Sequence, residues 1–234
     1  VHYRVNISPT DAGGLSALTT ALNAPEAHYL DVHTTDQRSP GALRGQLAGP
    51  VTQPVISENG IVNAALAEGT MTASPGSLIS IFGANLSQAT VGAVVKNGKL
   101  ATSVSGTEVR IGGLSAAILH VSPGQLNVQT PIGLNAGETD VKVTTVWGVS
   151  AAQSLLISNA SPGIFAVVKA SDFSVVTSQN PVAPGQMVIV FTTGVGVGVP
   201  PLGTGQLALA SPLSYTAVTP IASIGGIGAT VTTS

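Results

Sequence analysis

The sequence predicts an all-β protein made of tandem antiparallel β-sandwiches, and three observations carry that expectation. The stretch Ser74-Pro-Gly-Ser-Leu-Ile-Ser-Ile-Phe-Gly83 returns as Ala183-Pro-Gly-Gln-Met-Val-Ile-Val-Phe-Thr192, placing Pro75, Gly76 and Phe82 on Pro184, Gly185 and Phe191 at one offset of 109 residues. A second landmark follows in the same order, with Ile111-Gly112-Gly113 echoed by Ile224-Gly225-Gly226 at an offset of 113. Two ordered landmarks indicate a duplicated unit of about a hundred residues, the size of a small sandwich. Beyond residue 60 the apolar runs are short, separated by Gly, Pro, Asn and Ser, and carry no useful helical period.

The N-terminal block, residues 1–50, differs from the rest. It carries seven of the eighteen formal charges and three of the four histidines. His2 to Ile7 reads as a strand. Ser8-Pro9-Thr10-Asp11 is a helix start, and Leu15, Leu18 and Leu22 then share one helical face until Pro25 ends it. Ala27 to Thr34 alternates as a strand, Ser39-Pro40-Gly41 turns it, and Ala42 to Leu47 returns as the second arm of a hairpin. Residues 51–59, with Pro54, read as a linker. Two modules follow, 60–160 and 161–234. The expected strands of the first are Leu78 to Phe82, Glu108 to Ile111, Ala117 to Val121, Gln125 to Gln129, Asp140 to Val146 and Gln153 to Ile157. Met187 to Val199 is the longest apolar run, but Thr192, Thr193 and three glycines break it, so it reads as a strand and a loop. It falls short of the roughly 18 residues a spanning helix needs.

Composition excludes several classes of function. The chain is 44% hydrophobic and 8% charged, where an ordinary soluble domain carries about 25% charged residues. A net charge of −2 gives no footprint for nucleic acid. There is no cysteine, so disulfides and thiolate chemistry are absent. Aromatic residues make up 3%, too few for an extended stacking platform. From Phe173 to Ser234 there is no charged residue at all, nor any histidine. A free surface of that kind is poorly soluble, so this segment is expected to be covered through self-association.

Two family resemblances add to this reading. Tyr29-Leu-Asp-Val-His-Thr34, then Pro40-Gly41, then Leu43-Arg-Gly-Gln-Leu47 resembles the C-terminal part of the CHRD (chordin-type) domain. Gly60 to Ala65, Ser74-Pro-Gly76, Ile81 to Leu86, Val121 to Gln129, Ala160 to Phe165 and Asn180 to Gly185 form an ordered series. That series resembles an uncharacterised C-terminal domain of predicted secreted acidobacterial proteins, whose halves look like Ig-like modules of the IPT/TIG kind. The resemblances imply a secreted bacterial protein, extracellular or at the cell surface, with tandem Ig-like sandwiches behind a partial CHRD-like hairpin and short helix. Against that pattern the second module is expected to lack its last strands and the first block its opening ones. An opening on Val1, without a basic or apolar leader, reads as a fragment of a longer chain.

Candidate sites are few. Asp31 and His33 share a strand face and are the metal candidates, near His28 and Asp36, with no third or fourth ligand evident. The structural alternative is hydrogen bonding within the hairpin, with Arg44 as partner. His120 reads as a structural histidine, and Glu138 with Asp140 as a solvated turn. Gly194-Val-Gly-Val-Gly198 looks like a nucleotide loop, but Val-Pro-Pro-Leu follows it rather than a helix. Asn6 and Asn85 stand in glycosylation-type sequons. No nucleophile elbow, zinc-protease motif or phosphate loop is present, so no catalytic residue or cofactor is assigned. The expected function is a non-catalytic structural subunit of a surface layer or filament, completed by strands from neighbouring subunits through donor-strand complementation. The alternative is a secreted Ig-like adhesion module that recognises polysaccharide or a surface protein, for which Trp147 is the single tryptophan.

Overall fold

The computed structural model describes Gly13, Ser16, Thr20 and residues 29–32, 43–46, 53–65, 71–208 and 210–232. The chain divides into two compact units, Val1–Thr52 and Gln53–Ser234. In the first, Gly13, Ser16 and Thr20 are helical and exposed. The Thr20 hydroxyl donates to the Ser16 carbonyl one turn back, at 2.9 Å. These three residues form the solvent face of the expected helix; Leu15, Leu18 and Leu22 lie outside the described residues. Strands β1 (Tyr29–Val32) and β2 (Leu43–Gln46) pair antiparallel, with Asp31 opposite Arg44, which is the expected hairpin.

The second unit begins with β3 (Val55–Asn63), and here the expected linker is corrected. Residues 55–59 already belong to a strand that pairs with β5. Asn59-Gly60, at the end of the expected linker, lies inside the strand. It forms a bulge, with Asn59 at φ 54° and the register slipping between Ile56 and Ile61. The boundary between the units falls between Thr52 and Gln53.

The remaining strands of the first sandwich run in order: β4 (Thr72–Ala73), β5 (Leu78–Ala84), β6 (Val91–Gly92), β7 (Val95–Lys96), β8 (Lys99–Leu100) and β9 (Ser103–Val104). They continue through β10 (Thr107–Ile111), β11 (Leu114–Ser115), β12 (Ala117–Val121), β13 (Gln125–Gln129), β14 (Gly137–Thr145), β15 (Gly148–Val149) and β16 (Gln153–Ile157). One sheet has the order β3-β5-β13-β12-β6 and the other β11-β10-β14-β16-β4, with β9 and β15 attached to β10 and β14. Alternation decides which residues face inward. On β10 Val109 and Ile111 are buried while Arg110 is exposed; on β14 Val141 and Val143 are buried while Asp140 and Lys142 are exposed. These side chains meet Ile79, Ile81, Leu126, Val128, Leu155 and Ile157 in one core between the sheets.

The Pro-Gly landmark is a turn that feeds β5. The Ser77 amide donates to the Ser74 carbonyl at 3.0 Å, and Gly76 takes φ 78°, a left-handed position that glycine occupies without a Cβ penalty. Its copy in the second module has the same geometry. The Gln186 amide donates to the Ala183 carbonyl at 3.2 Å, and Gly185 has φ 83°. The Gly-Gly hairpins repeat as closely, at φ 57° and 78° for Gly112 and Gly113 and at 59° and 82° for Gly225 and Gly226.

The second module comprises β17 (Gly163–Lys169), β18 (Val188–Thr193), β19 (Gly198–Val199), β20 (Tyr215–Thr216), β21 (Ala222–Ile224) and β22 (Ile227–Ala229). They pair as three separate two-stranded ladders, β17-β18, β19-β20 and β21-β22. The architecture is all-β throughout its sheets and Ig-like in the first sandwich, as the sequence predicts.

Candidate functional site

Of the sequence-predicted metal candidates, Asp31 alone is among the described residues. Asp31 stands opposite Arg44 in the β1-β2 ladder. His33, His28 and Asp36 lie outside the described residues, and so does Asn6. Among the described residues no three His, Asp or Glu come together as metal ligands. His120 sits half-buried on β12 beside a register shift, opposite Asn127. Asn85 is a left-handed turn residue, φ 57°, just after β5. Glu138 and Asp140 project from the start of β14 into solvent. With Arg110 and Lys142 they border an open groove of about 510 Å³ on the outer sheet face.

Gly194 to Gly198 lies in the second module, next to the bonds that join it to the first. The Ser161 amide donates to the Gly194 carbonyl at 2.7 Å, and a Cβ on Gly194 (φ 77°) would collide with the Ser161 carbonyl oxygen. Around it the buried Asn63 donates from Nδ2 to the Ser161 carbonyl and accepts from the Ala65 amide, both at 2.9 Å. The Thr193 hydroxyl accepts the Leu78 amide at 2.8 Å. At the other end of the joint, the Gly205 amide donates to Gln129 Oε1 at 2.6 Å and its carbonyl accepts the Leu100 amide at 2.8 Å. The second module is therefore held to the first by polar bonds between named groups rather than by a shared apolar core.

The feature with functional weight is the surface of that second module. Among the described residues twenty hydrophobic side chains are buried, and Val168 is the only one beyond residue 160. Fifteen of the twenty-three exposed large hydrophobics lie there, with Phe173 at 68%, Ile227 at 76%, Val218 at 79% and Ile221 fully exposed. Lys169 and Asp172 are its only charges. The side chain and amide of Ser174 hydrogen-bond the Asp172 carboxylate and hold it below its ordinary range.

In the β17-β18 ribbon, Val167 pairs with Val190 and Lys169 with Val188 on one face; Val168 pairs with Ile189 and Ala166 with Phe191 on the other. Apart from Lys169 both faces are apolar, a pattern suited to a strand covered on both sides. The Met187 carbonyl points to the β17 side, where it accepts the Ala170 amide at 3.0 Å. By alternation Val188, Val190 and Thr192 turn their backbone groups to the opposite edge. Among the described residues no strand pairs with that edge. The outer edge of β17 is partly covered, since the Val176 amide donates to the Val167 carbonyl and the Lys169 amide to the Ser174 carbonyl, both at 2.9 Å.

The fold thus defines a β-sandwich protein of Ig-like type with an appended apolar module. The IPT/TIG domain family model matches residues 69–156, within the first sandwich. No curated protein matches the chain. Among solved structures, γ-CGTase from alkalophilic Bacillus clarkii is similar over 56% of this chain and 16% of its own, at 14% identity and a TM-score of 0.34. An auxiliary nutrient binding protein from Bacteroides thetaiotaomicron is similar over 51% of this chain and 23% of its own, at 15% identity and a TM-score of 0.31. SGBP-B of the Bacteroides ovatus mixed-linkage glucan utilization locus, in complex with a mixed-linkage heptasaccharide, is similar over 74% and 46%, at 12% identity and a TM-score of 0.31. This chain spans less than half the length of each of these three structures.

Proposed function

We propose that the protein is a non-catalytic extracellular structural module, a β-sandwich subunit of a surface layer or filament whose second module meets its neighbours. The observation that carries this reading is the contrast in burial: among the described residues, nineteen hydrophobic side chains are buried in 53–157 against one in 161–232. A segment that exposes its apolar residues and has no charge from Phe173 onward is built to be covered. Extracellular placement rests on the resemblance of residues 1–50 to the CHRD domain and of residues 60–234 to secreted acidobacterial proteins. Electron microscopy of the native material is expected to show regular filaments or sheets with density crossing between subunits at the second module. Dispersed single particles at every concentration would sink the reading.

A second reading, a binding module for polysaccharide, is favoured by one place on the first sandwich. Trp147 is half-buried in the β14-β15 turn, its amide bonded to the Thr145 hydroxyl at 3.2 Å, between the exposed Val146 and Val149. An aromatic face at a sandwich end is the kind of surface on which a sugar ring stacks. On this reading, calorimetric titration with a soluble polysaccharide gives a saturable signal that Trp147→Ala reduces at least tenfold in affinity. No heat with any glycan tested removes it.

A further inference from the structure

We infer that the outer face of the β10-β14 ladder is a binding site for a neutral polysaccharide, held by charged side chains that hydrogen-bond its hydroxyl groups. The inference rests on the polysaccharide reading above and supplies the polar half of that site. Of the eleven charged residues that follow Thr52, five lie together here: Glu108, Arg110, Glu138, Asp140 and Lys142. Alternation turns them outward, away from the buried Val109, Val141 and Val143. None of the described bonds that hold the second module reaches β10 or β14.

Stability alone does not select this arrangement. Arg110 stands directly opposite Lys142 in the ladder, and like charges so placed destabilise a sheet. Among the described residues none of the five forms an ion pair. The Arg110 guanidinium donates from Nη1 to the Gly113 carbonyl at 3.0 Å, and the other four side chains make no hydrogen bond there. The chain also carries its own reference. The repeat of this hairpin, β21 and β22 around Gly225-Gly226, has Ile221 and Ser223 where the first copy has Glu108 and Arg110. Its two glycines take nearly the same backbone angles, so the hairpin forms without the charges.

What these groups hold follows from their signs. Three carboxylates interleave with two cations, so a ligand of one sign meets repulsion beside every attraction. A hydroxyl group is both donor and acceptor. The carboxylates accept from it, Arg110 and Lys142 donate to it, and such charge-assisted bonds are about twice as strong as neutral ones. A ligand dense in hydroxyls and free of charge uses both kinds at once. The groove these residues border, about 510 Å³, lies within the range of small-ligand sites. Its wall at Gly113 is bare backbone, and a Cβ there would meet no other atom within 4 Å. Strand β14 leads from the groove to the turn that carries Trp147, about 10 Å from Lys142 to Thr145 at roughly 3.3 Å per residue. An extended glycan seated in the groove and running along β14 therefore reaches that turn.

The test titrates the 234-residue chain by calorimetry with three soluble neutral glycans (dextran, laminarin and galactomannan) and with polygalacturonate. At least one neutral glycan is expected to bind, with an affinity that changes less than about twofold between roughly 0.05 and 0.5 M salt, because the ligand carries no charge to screen. Asp140→Ala and Lys142→Ala should each weaken that binding about tenfold. Both side chains are exposed, so the melting transition should stay where it is. Lys96→Ala removes an exposed cation outside this face and should leave binding unchanged. Neutral-glycan binding that Trp147→Ala weakens and the two face variants do not overturns this site while leaving the polysaccharide reading intact. Polygalacturonate bound in preference to all three neutral glycans, and released steeply by salt, overturns the neutral class in favour of an anionic ligand. No heat with any of the four overturns both the site and the reading.

Discussion

Ile81→Ala is expected to cost the first sandwich about 2–5 kcal/mol, while Ile221→Ala shifts stability by no more than about 0.5 kcal/mol. Both remove the same atoms, so the difference isolates burial. Ile81 is fully buried on β5, between β3 and β13, and packs in the core with Ile79, Leu126 and Val128. Truncation there removes transfer free energy and leaves a cavity that the close-packed neighbours fill only in part. Ile221 is fully exposed in the chain, so its truncation loses neither. Urea unfolding followed by Trp147 fluorescence, on dilute protein, measures both changes. Equal losses at the two positions would contradict the division of the second unit into a cored sandwich and a coreless module.

Gly194→Ala is the second large effect. At φ 77° an alanine costs about 1–2 kcal/mol in backbone strain alone. Its Cβ would also meet the Ser161 carbonyl oxygen, which is backbone and cannot rotate away. Relief requires the 161–194 contact to open, and with it the bond from the Ser161 amide to the Gly194 carbonyl. The damage is expected to stay local. Hydrogen exchange should accelerate at least tenfold across residues 161–194 while amides of β10, β13 and β14 keep their protection. Uniform acceleration through both sheets would mean that the joint also holds the first sandwich together. Unchanged exchange everywhere would mean that the joint is not a structural contact.

Much of the first sandwich was legible in the sequence because its strands obey a two-residue period between strong turn signals. Ala117 to Val121, Gln125 to Gln129 and Gln153 to Ile157 coincide with β12, β13 and β16. The matched glycine angles show that the repeat in sequence is a repeat in backbone. The start of β3 was not legible, because Pro54 and the polar residues 57–59 read as a linker; only the pairing of Val55 and Ile56 with β5 places them in a strand. The joint was not legible at all. Asn63, Thr193, Gln129 and Gly205 are scattered along the chain, and nothing in their spacing marks the bonds that bring them together. The apolar surface of the second module was half-legible. Absence of charge predicted a covered segment, but the open edge of β18 needed the register of β17 to assign which amides turn outward.

The contrast between a seven- and five-stranded sandwich and three two-stranded ladders has a mechanical consequence. Tension applied along an isolated chain reaches the second module through short ladders with almost no buried apolar mass behind them, so it yields first. Residues 161–234 then extend to roughly 250 Å at about 3.4 Å per residue. The first sandwich stays folded meanwhile, its central strands β5, β13, β10 and β14 flanked by neighbours on both sides. A chain of this build joins a stiff sandwich to an extensible segment, and the polar bonds between the two modules decide the load at which that segment begins to lengthen.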